Sequence, residues 1–227
     1  MPTLFSKLVF ALFFAALPAL ANVPSPANQA LVPQISLAPA VLQASGNATN
    51  QSVSVRNLGK TSIRFQVEVR SWTQTGGKDV SEPTRAAFAS PRIVEIPAGS
   101  TRAINLSRLG GTGPAYFRLL LRQLPVAGQP KGTLDFLTNH NLSVAFEDTS
   151  KEVPPLEARA APGGYMLTNT GRTAARVSAL GPEGAKPWSQ GTLGWVLPGQ
   201  SKFFAAPAVV PVLSVRMLAQ TVSLRVQ

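Results

Sequence analysis

The chain has 227 residues, with 21 Lys and Arg against 10 Asp and Glu, a single His and no Cys. This length suits one large or two small domains, and a hydrophobic fraction of 44% suits a folded chain. The absence of Cys excludes disulfide scaffolds, thiolate zinc sites and cysteine nucleophiles, and one His excludes His-rich metal sites, so we expect no metal and no cofactor.

Residues 1–21 (MPTLFSKLVFALFFAALPALA) have the pattern of a secretory signal peptide. Lys7 supplies the positive start, residues 8–17 form an apolar run, and Ala19-Leu20-Ala21 is a small-x-small cleavage site. A retained membrane anchor is the alternative, but a spanning helix needs about 20 apolar residues and this run is half as long. We predict cleavage before Asn22, export to the periplasm, and no stable membrane insertion.

Apolar and polar residues alternate with a period of two in much of the remaining chain. The clearest case is residues 63–70 (IRFQVEVR), and this alternation is typical of strands that bury one face. Turn signals rich in Gly, Pro and Asn separate such segments, and we find no convincing helical stripe. The pattern predicts an all-β sandwich fold. The predicted strands include 52–56, 63–70, 93–96, 102–106, 116–121, 142–146 and 221–226.

The chain also contains a weak internal repeat. Residues 57–61 (NLGKT) are echoed by residues 169–173 (NTGRT), and residues 96–100 (IPAGS) by residues 197–201 (LPGQS). Asn and Gly in such turns supply the positive φ angles that β-branched residues avoid. Each echo alone could arise by chance, but two in the same order favour two similar sandwich domains.

A composition shift indicates where these domains divide. Residues 147–155 (EDTSKEVPP) are charged, poor in apolar residues and end in Pro-Pro, which is typical of a linker. We predict an N-terminal domain over residues 22–148, a linker over residues 149–155, and a smaller C-terminal domain over residues 156–227.

No residue pattern indicates catalysis. His140 has neither a nearby Ser–acid pair nor a second ligand, and the glycine-rich residues 110–114 lack the Lys-Ser/Thr of a phosphate loop. Glu147 and Asp148 are interpreted as solvated linker carboxylates. The basic residues are scattered singly, without the interleaved aromatic residues of a nucleic-acid groove. We therefore expect no enzyme and no nucleic-acid partner. The excess positive charge is interpreted as a solvated surface, with steering of an acidic protein or a membrane surface as the alternative.

Several short segments follow one another in a suggestive order through the mature chain. They are 35–39 (ISLAP), 53–59 (VSVRNLG), 66–72 (QVEVRSW), 89–92 (ASPR), 96–102 (IPAGSTR), 116–125 (YFRLLLRQLP), 169–171 (NTG) and 194–199 (GWVLPG). In this order they resemble the periplasmic pilus-assembly chaperones of the chaperone–usher pathway. The resemblance implies an L-shaped pair of immunoglobulin-like β-sandwich domains. It also implies a protein that holds pilus or fimbrial subunits between secretion and the outer-membrane usher.

The resemblance further implies donation of a strand. Subunits of this class lack one strand of their sandwich, and the chaperone lends its own G1 strand to the gap. The G1 position falls on residues 133–146 (TLDFLTNHNLSVAF), where Leu134, Phe136 and Thr138 share one face and are the predicted subunit-binding residues. Because any such strand needs an apolar face, a core role is the alternative for Leu134 and Phe136. The residues that continue this parity and that we assign to the core are Leu142, Val144 and Phe146.

One feature of the family is missing from this sequence. The resemblance implies that two basic residues anchor the C-terminal carboxylate of the subunit, but their positions fall on Val41 and on residues 141–143, where there is no Lys or Arg. Weak donors such as Asn or Ser hold a carboxylate poorly. Either another side chain takes over, the anchor is of a variant type, or the chain no longer acts as a chaperone. Gln123 also replaces a Glu of many relatives. The candidate substitutes are Arg118, Arg122, His140 and Asn141.

Two other functions remain open at this point. The first is a structural protein, either a pilus subunit or an adhesin-like sandwich. Such subunits usually have one domain and often a disulfide, so two domains without Cys favour the chaperone. The second is a periplasmic hydrolase, for which the sequence offers no set of nucleophile, base and orienting residue.

Overall fold

The computed structural model describes residues 35–125, 137–147, 153–217 and 220–227. The regular elements in these ranges are β-strands, which confirms the all-β prediction. Within the same ranges there is no helix of the length and hydropathy needed to cross a membrane. The strands are β1 (Ile35–Ala38), β2 (Leu42–Ala44), β3 (Asn50–Asn57), β4 (Ile63–Thr75), β5 (Lys78–Pro83), β6 (Ala87–Ser90), β7 (Ile93–Ile96), β8 (Thr101–Arg108), β9 (Ala115–Leu124), β10 (Asn139–Phe146), β11 (Leu156–Ala161), β12 (Gly164–Asn169), β13 (Ala175–Pro182), β14 (Ser189–Val196), β15 (Ser201–Ala205), β16 (Val212–Met217) and β17 (Gln220–Arg225).

Strands β1 to β10 form a first sandwich of two sheets. One sheet has the order β1-β3-β8-β6, and the other has the order β2-β10-β9-β4-β5, with β7 also paired to β4. The predicted alternation holds, because Phe65 and Val67 of β4 are buried against Val53 and Val55 of β3 in one core. The polar residues between them face outward. The hydrophobic effect of burying one face of each sheet therefore fixes the register of these strands.

Strands β11 to β17 form a second, smaller sandwich. Its sheets have the orders β11-β12-β15 and β14-β13-β16-β17. Tyr165 and Leu167 of β12 pack in one buried core with Leu213 and Val215 of β16. The Tyr165 hydroxyl donates to the carbonyl of Ala208 at 3.1 Å, so the largest side chain of this core keeps its polar end satisfied. The fold is thus a pair of β-sandwiches, as predicted.

A buried asparagine organises one end of the first sandwich. The Asn57 side chain is fully buried. Its amide nitrogen donates to the carbonyls of Thr61 at 2.7 Å and Ile96 at 2.9 Å, and its oxygen accepts from the Gly59 backbone N–H at 2.9 Å. One side chain thereby ties the turn after β3 to the turn after β7.

The second sandwich has the same arrangement around Asn169, which is also fully buried. Its amide nitrogen donates to the carbonyls of Thr173 and Val196, both at 2.8 Å, and its oxygen accepts from the Gly171 N–H at 2.8 Å. The two echoes found in the sequence therefore correspond to two equivalent, hydrogen-bonded turn pairs.

Candidate functional site

Strand β10 is only partly enclosed by its own sheet. It pairs along its whole length with β9, from Asn139 opposite Arg122 to Phe146 opposite Ala115. On its other side it pairs in parallel with β2, but only over residues 144–146. Among the described residues, the segment 139–143 thus has a strand on one side alone. An edge of this kind presents backbone N–H and C=O groups to which another chain can add a strand.

One face of β10 packs into the core of the first sandwich. Leu142, Val144 and Phe146 are buried in the first core, which confirms their assignment to the core. His140 lies on the same face, with its ring 6.0 Å from that of Phe65 in an edge-to-face arrangement. Burial lowers the pKa of His140 below its ordinary value. Of the predicted subunit-binding residues, Leu134 and Phe136 lie outside the described residues.

Thr138, the third of these residues, is held against β9 by Gln123. Its backbone N–H and its hydroxyl both donate to the Gln123 side-chain oxygen at 3.0 Å, and the Gln123 backbone N–H donates to the Thr138 carbonyl at 3.0 Å. An uncharged amide oxygen therefore accepts both bonds at the start of β10. This gives the Gln at position 123 a defined structural role.

A buried aromatic pair joins the outer face of the β10 sheet to the second sandwich. The rings of Trp72 on β4 and Trp195 on β14 are 5.4 Å apart and inclined at 52°. They form a small apolar cluster with Ala145 and Leu197, against which Val41 is partly buried. Val41, at one position where the resemblance implies a basic residue, instead contributes apolar contact to the junction of the two sandwiches.

Arg118 is the basic side chain of β9 that reaches this junction. Its guanidinium stacks 3.5 Å from the centre of the Trp72 ring, donates to the Ser143 hydroxyl at 2.8 Å, and lies 3.3 Å from Asp79 Oδ2. Its side chain is only 15% exposed. Burial lowers the pKa of Arg118, and the charge of Asp79 opposes that shift. The partly desolvated cation is well suited to bind an anion.

Asp79 on β5 is the carboxylate at the centre of this region. Its Oδ2 accepts from Lys202 Nζ of β15 at 2.5 Å, and its Oδ1 accepts from Trp72 Nε1 at 3.1 Å and Gln74 Nε2 at 2.8 Å. Burial alone would raise the pKa of Asp79, but these hydrogen bonds and the Lys202 charge outweigh it and lower the pKa below its ordinary value. Asp79 is therefore ionised at neutral pH and bound to cations of both sandwiches.

The other three candidate anchor residues lie elsewhere. Arg122 is exposed on the outer face of β9, with its guanidinium 3.6 Å from Glu68. Asn141 is exposed on β10 opposite Leu120. His140 is on the core-facing side of β10, the side opposite to Asn141. Of the four residues, the structure thus brings Arg118 to the junction of the two sandwiches.

Glu147 is buried, so its interpretation as a solvated linker carboxylate is wrong, whereas Asp148 lies outside the described residues. Glu147 is 1% exposed, and it accepts from the Tyr116 hydroxyl at 2.7 Å, from Gln43 Nε2 at 2.9 Å and from the Ala174 backbone N–H at 2.7 Å. Burial, together with the hydrogen bond to Glu147, raises the pKa of Tyr116 above its ordinary value. Because Ala174 belongs to the second sandwich, Glu147 fastens the two sandwiches together.

Comparison of the sequence with protein-family models and with curated proteins finds no match. Solved structures do match. One is the CsuC–CsuE chaperone–tip adhesion subunit complex of Acinetobacter baumannii, at 19% identity over 86% of this chain and 99% of that chain, with a TM-score of 0.67. The chain has the fold of the pilus chaperones. A Salmonella enterica complex of SafA pilin with the SafB chaperone matches at 17% identity over 85% and 96% of the chains, with a TM-score of 0.63. Escherichia coli DraB, a chaperone, matches at 13% identity over 86% and 96% of the chains, with a TM-score of 0.62.

Within this pilus-chaperone fold, three charged residues of the junction (Asp79, Glu147 and Lys202) were not predicted as site residues from the sequence. Asp79 has no adjacent acidic residue in the sequence, Glu147 is followed by Asp148 in the charged segment that resembles a linker, and Lys202 directly follows the second echo, LPGQS. Their partners lie on other strands or in the other sandwich, so no local spacing reveals them. The single available signal was the position of Lys202 in the repeat, where Thr101 and Arg102 follow the first echo.

Proposed function

We propose that this protein is a periplasmic chaperone that binds pilus or fimbrial subunits and delivers them to an outer-membrane usher. The observation that carries the proposal is the edge of β10, which has a strand on one side alone over residues 139–143. The fold supports it, since matching structures are described as chaperones in complex with a pilin or a tip adhesion subunit.

Strand addition at this edge would follow a simple physical scheme. The backbone groups of β10 that face away from β9 would pair with the unfinished sheet of a subunit, which supplies affinity independent of sequence. Alternate side chains of the donated strand would fill the apolar groove of the subunit. Leu134 and Phe136 have the parity for this role, and Thr138, fixed by Gln123, would set the register where the donated segment meets β9.

We assign the anchoring of the subunit carboxylate to Arg118. Its guanidinium is partly buried and is held in place by Trp72 and Ser143, and Arg118 lies on β9, the strand paired with β10. A charge-assisted hydrogen bond in such a place is about twice as strong as a neutral one. Arg118 would thus replace the two basic residues that are missing at Val41 and residues 141–143.

The proposal is tested by co-expressing the full chain with a candidate pilus subunit from the same gene neighbourhood and measuring co-purification from the periplasm. The double variant Leu134→Asp, Phe136→Asp puts two charges into an apolar groove, so we expect the complex to be lost while circular dichroism shows an unchanged free protein. Phe88→Asp, on an exposed aromatic residue of β6, is the matched control and should retain the complex. Retention of the complex by the double variant would refute strand donation. Self-polymerisation of the purified chain would favour a pilus subunit instead.

A further inference from the structure

The larger sheet of the second sandwich is positively charged. Residues 153–227 contain seven Lys and Arg but two acidic residues, Glu157 and Glu183. Neither acidic residue lies on β13, β14, β16 or β17, the strands that form this sheet. Glu157 lies on β11 of the other sheet, and Glu183 follows the end of β13. The strands of the larger sheet therefore carry Arg side chains without a carboxylate.

Strand register determines which side chains form the outer face of β16 and β17. Alternate residues of β16 are buried in the core of this sandwich, which leaves Ser214 and Arg216 on the outer face. On β17, Thr221 lies opposite Arg216, and Ser223 lies opposite Ser214. Arg225 shares their face because it is two residues beyond Ser223. We call these five residues the basic face, and all of them except the half-buried Ser214 are exposed.

The basic face presents two guanidinium groups with hydroxyl groups between them. Arg225 is four residues from Thr221, the residue opposite Arg216, which corresponds to about 13 Å along a strand. The pair of Ser214 and Ser223 lies between the two Arg residues. Among the described residues, neither Arg forms an ion pair. Because a planar guanidinium can donate two parallel hydrogen bonds to one carboxylate, this face is suited to carboxylate groups.

A β-bulge in the neighbouring strand holds the backbone of Arg216. Val177 of β13 pairs with Met217 and Ala179 pairs with Arg216, so Ser178 is the extra residue of the bulge. The Ser178 hydroxyl donates to the Arg216 carbonyl at 3.2 Å. Bulges change the direction of the side chains around them and are common beside functional sites. The position of Arg216 on the face is therefore set by a specific hydrogen bond in addition to the regular ladder.

The other sheet of the same sandwich has a different charge pattern. Glu157 and Arg159 of β11 are both exposed, and they share one face because Ala158 between them is buried. Opposite charges this close largely cancel each other's field at longer range. The basic face has no such acidic neighbour on its own strands, so its field is available to attract an anionic partner.

We propose that the basic face binds an acidic segment of a partner protein. An extended segment with an acidic residue at every second position spaces the carboxylates by about 6.6 Å, so the carboxylates of positions i and i+4 match Arg216 and Arg225. The residue at position i+2 would face the hydroxyls of Ser214 and Ser223, which can donate to it. An anionic membrane surface fits less well, because it attracts many cations weakly, whereas these two Arg residues can each bind one carboxylate directly. The face lies on the second sandwich and does not depend on strand donation by β10.

The test uses the full mature chain and an acetylated, amidated pentapeptide with Glu at the first, third and fifth positions and Ser between them. The same peptide with Gln in place of Glu is the neutral control. Binding at low salt is measured by NMR through the backbone amide signals of β16 and β17, which we expect the acidic peptide to shift and the neutral peptide to leave in place. The double variant Arg216→Gln, Arg225→Gln should weaken binding roughly tenfold, the loss expected when two exposed ion pairs are removed.

A second double variant, Arg56→Gln, Arg159→Gln, is the matched control. It removes the same charge from exposed positions outside the basic face, so binding should change by no more than about twofold. The variant Arg216→Lys, Arg225→Lys keeps the charge but loses the paired donors of the guanidinium, and it should recover part of the binding.

Two results would overturn the inference. Equal weakening in the basic-face and control variants would show that net charge alone attracts the peptide. Binding to phosphatidylglycerol vesicles that depends on Arg216 and Arg225, without binding of the acidic peptide, would assign the face to a membrane surface. Because neither residue lies on the first sandwich, both results would leave the test of subunit co-purification unaffected.

Discussion

The two sandwiches have the same hydrogen-bonded turns, but their edge strands differ in whether another segment of the chain pairs with them. Asn57 and Asn169 make the same three kinds of hydrogen bond in equivalent places. In the second sandwich, the edge strand β11 is covered by residues 226–227, through bonds such as Gln227 N–H to Ala158 O at 3.0 Å. In the first, residues 139–143 of β10 have no such cover among the described residues. The comparison shows that the two sandwiches share the hydrogen bonds of their turns and differ in how their edge strands are covered.

The largest effect on stability should come from replacing the buried asparagine of either sandwich. Asn57→Ala or Asn169→Ala leaves one buried carbonyl, one partly buried carbonyl and one partly buried N–H without their partner. A fully buried group without a partner costs about 1–3 kcal/mol, so we expect a loss of about 3 kcal/mol in the free energy of unfolding of the affected sandwich. If the two turn pairs are energetically equivalent, the two losses should be equal in urea unfolding. The melting temperature should fall more for Asn169→Ala, because a smaller unit unfolds with a smaller entropy.

Asn105→Ala is the matched control for both variants. Asn105 lies on β8 with an exposed side chain, so its replacement should change the free energy of unfolding by no more than about 0.5 kcal/mol. A small loss in either buried variant, comparable to that of the control, would show that water replaces the amide. The equivalence of the two sandwiches would then be geometric and not energetic.

A smaller effect is expected where the sandwiches are joined. In Glu147→Gln, the amide oxygen retains the bonds from Tyr116 and Ala174, but its NH2 group faces Gln43 Nε2, which is also a donor. The expected cost is about 2 kcal/mol in the free energy of unfolding, from one buried donor left unpaired. The circular-dichroism signal of the Trp72–Trp195 pair, whose rings are 5.4 Å apart, should weaken as the junction loosens.

Tyr116→Phe is the control for this junction, because it removes one donor and leaves the carboxylate with Gln43 and Ala174. It should cost about 1 kcal/mol and preserve the Trp signal. An unchanged Trp signal in Glu147→Gln would show that apolar contact, not Glu147, sets the packing of the two sandwiches.

Sequence alone predicted those parts of the molecule that depend on local periodicity and turn chemistry. The segment Ile93–Ile96 is a strand with the predicted bounds, and Ile63–Thr75 begins where predicted and extends further, because its second half pairs with β5. The Asn and Gly turns were recognisable since their conformational demands are local. The junction was not, since Asp79 meets Lys202 and Glu147 meets Ala174 only after both sandwiches have folded. Position 118 was among the four candidates, yet no sequence argument separated it from Arg122.

The smallest expected effect is a difference between the two sandwiches in the pH dependence of their stability, because the single His of the chain lies in the first sandwich. Burial against Phe65 lowers the pKa of His140, so the folded state favours the neutral ring. In the unfolded chain the ring titrates near 6.5, as model peptides do. The contribution of His140 to stability is therefore complete above this pH and is lost as the pH falls from there through the lower pKa of the folded state. Urea unfolding of the first sandwich between pH 7.5 and pH 5.5 should show this decline, and the second sandwich should not share it. His140→Gln should flatten the profile, whereas an unchanged slope in that variant would assign the pH dependence to carboxylates instead.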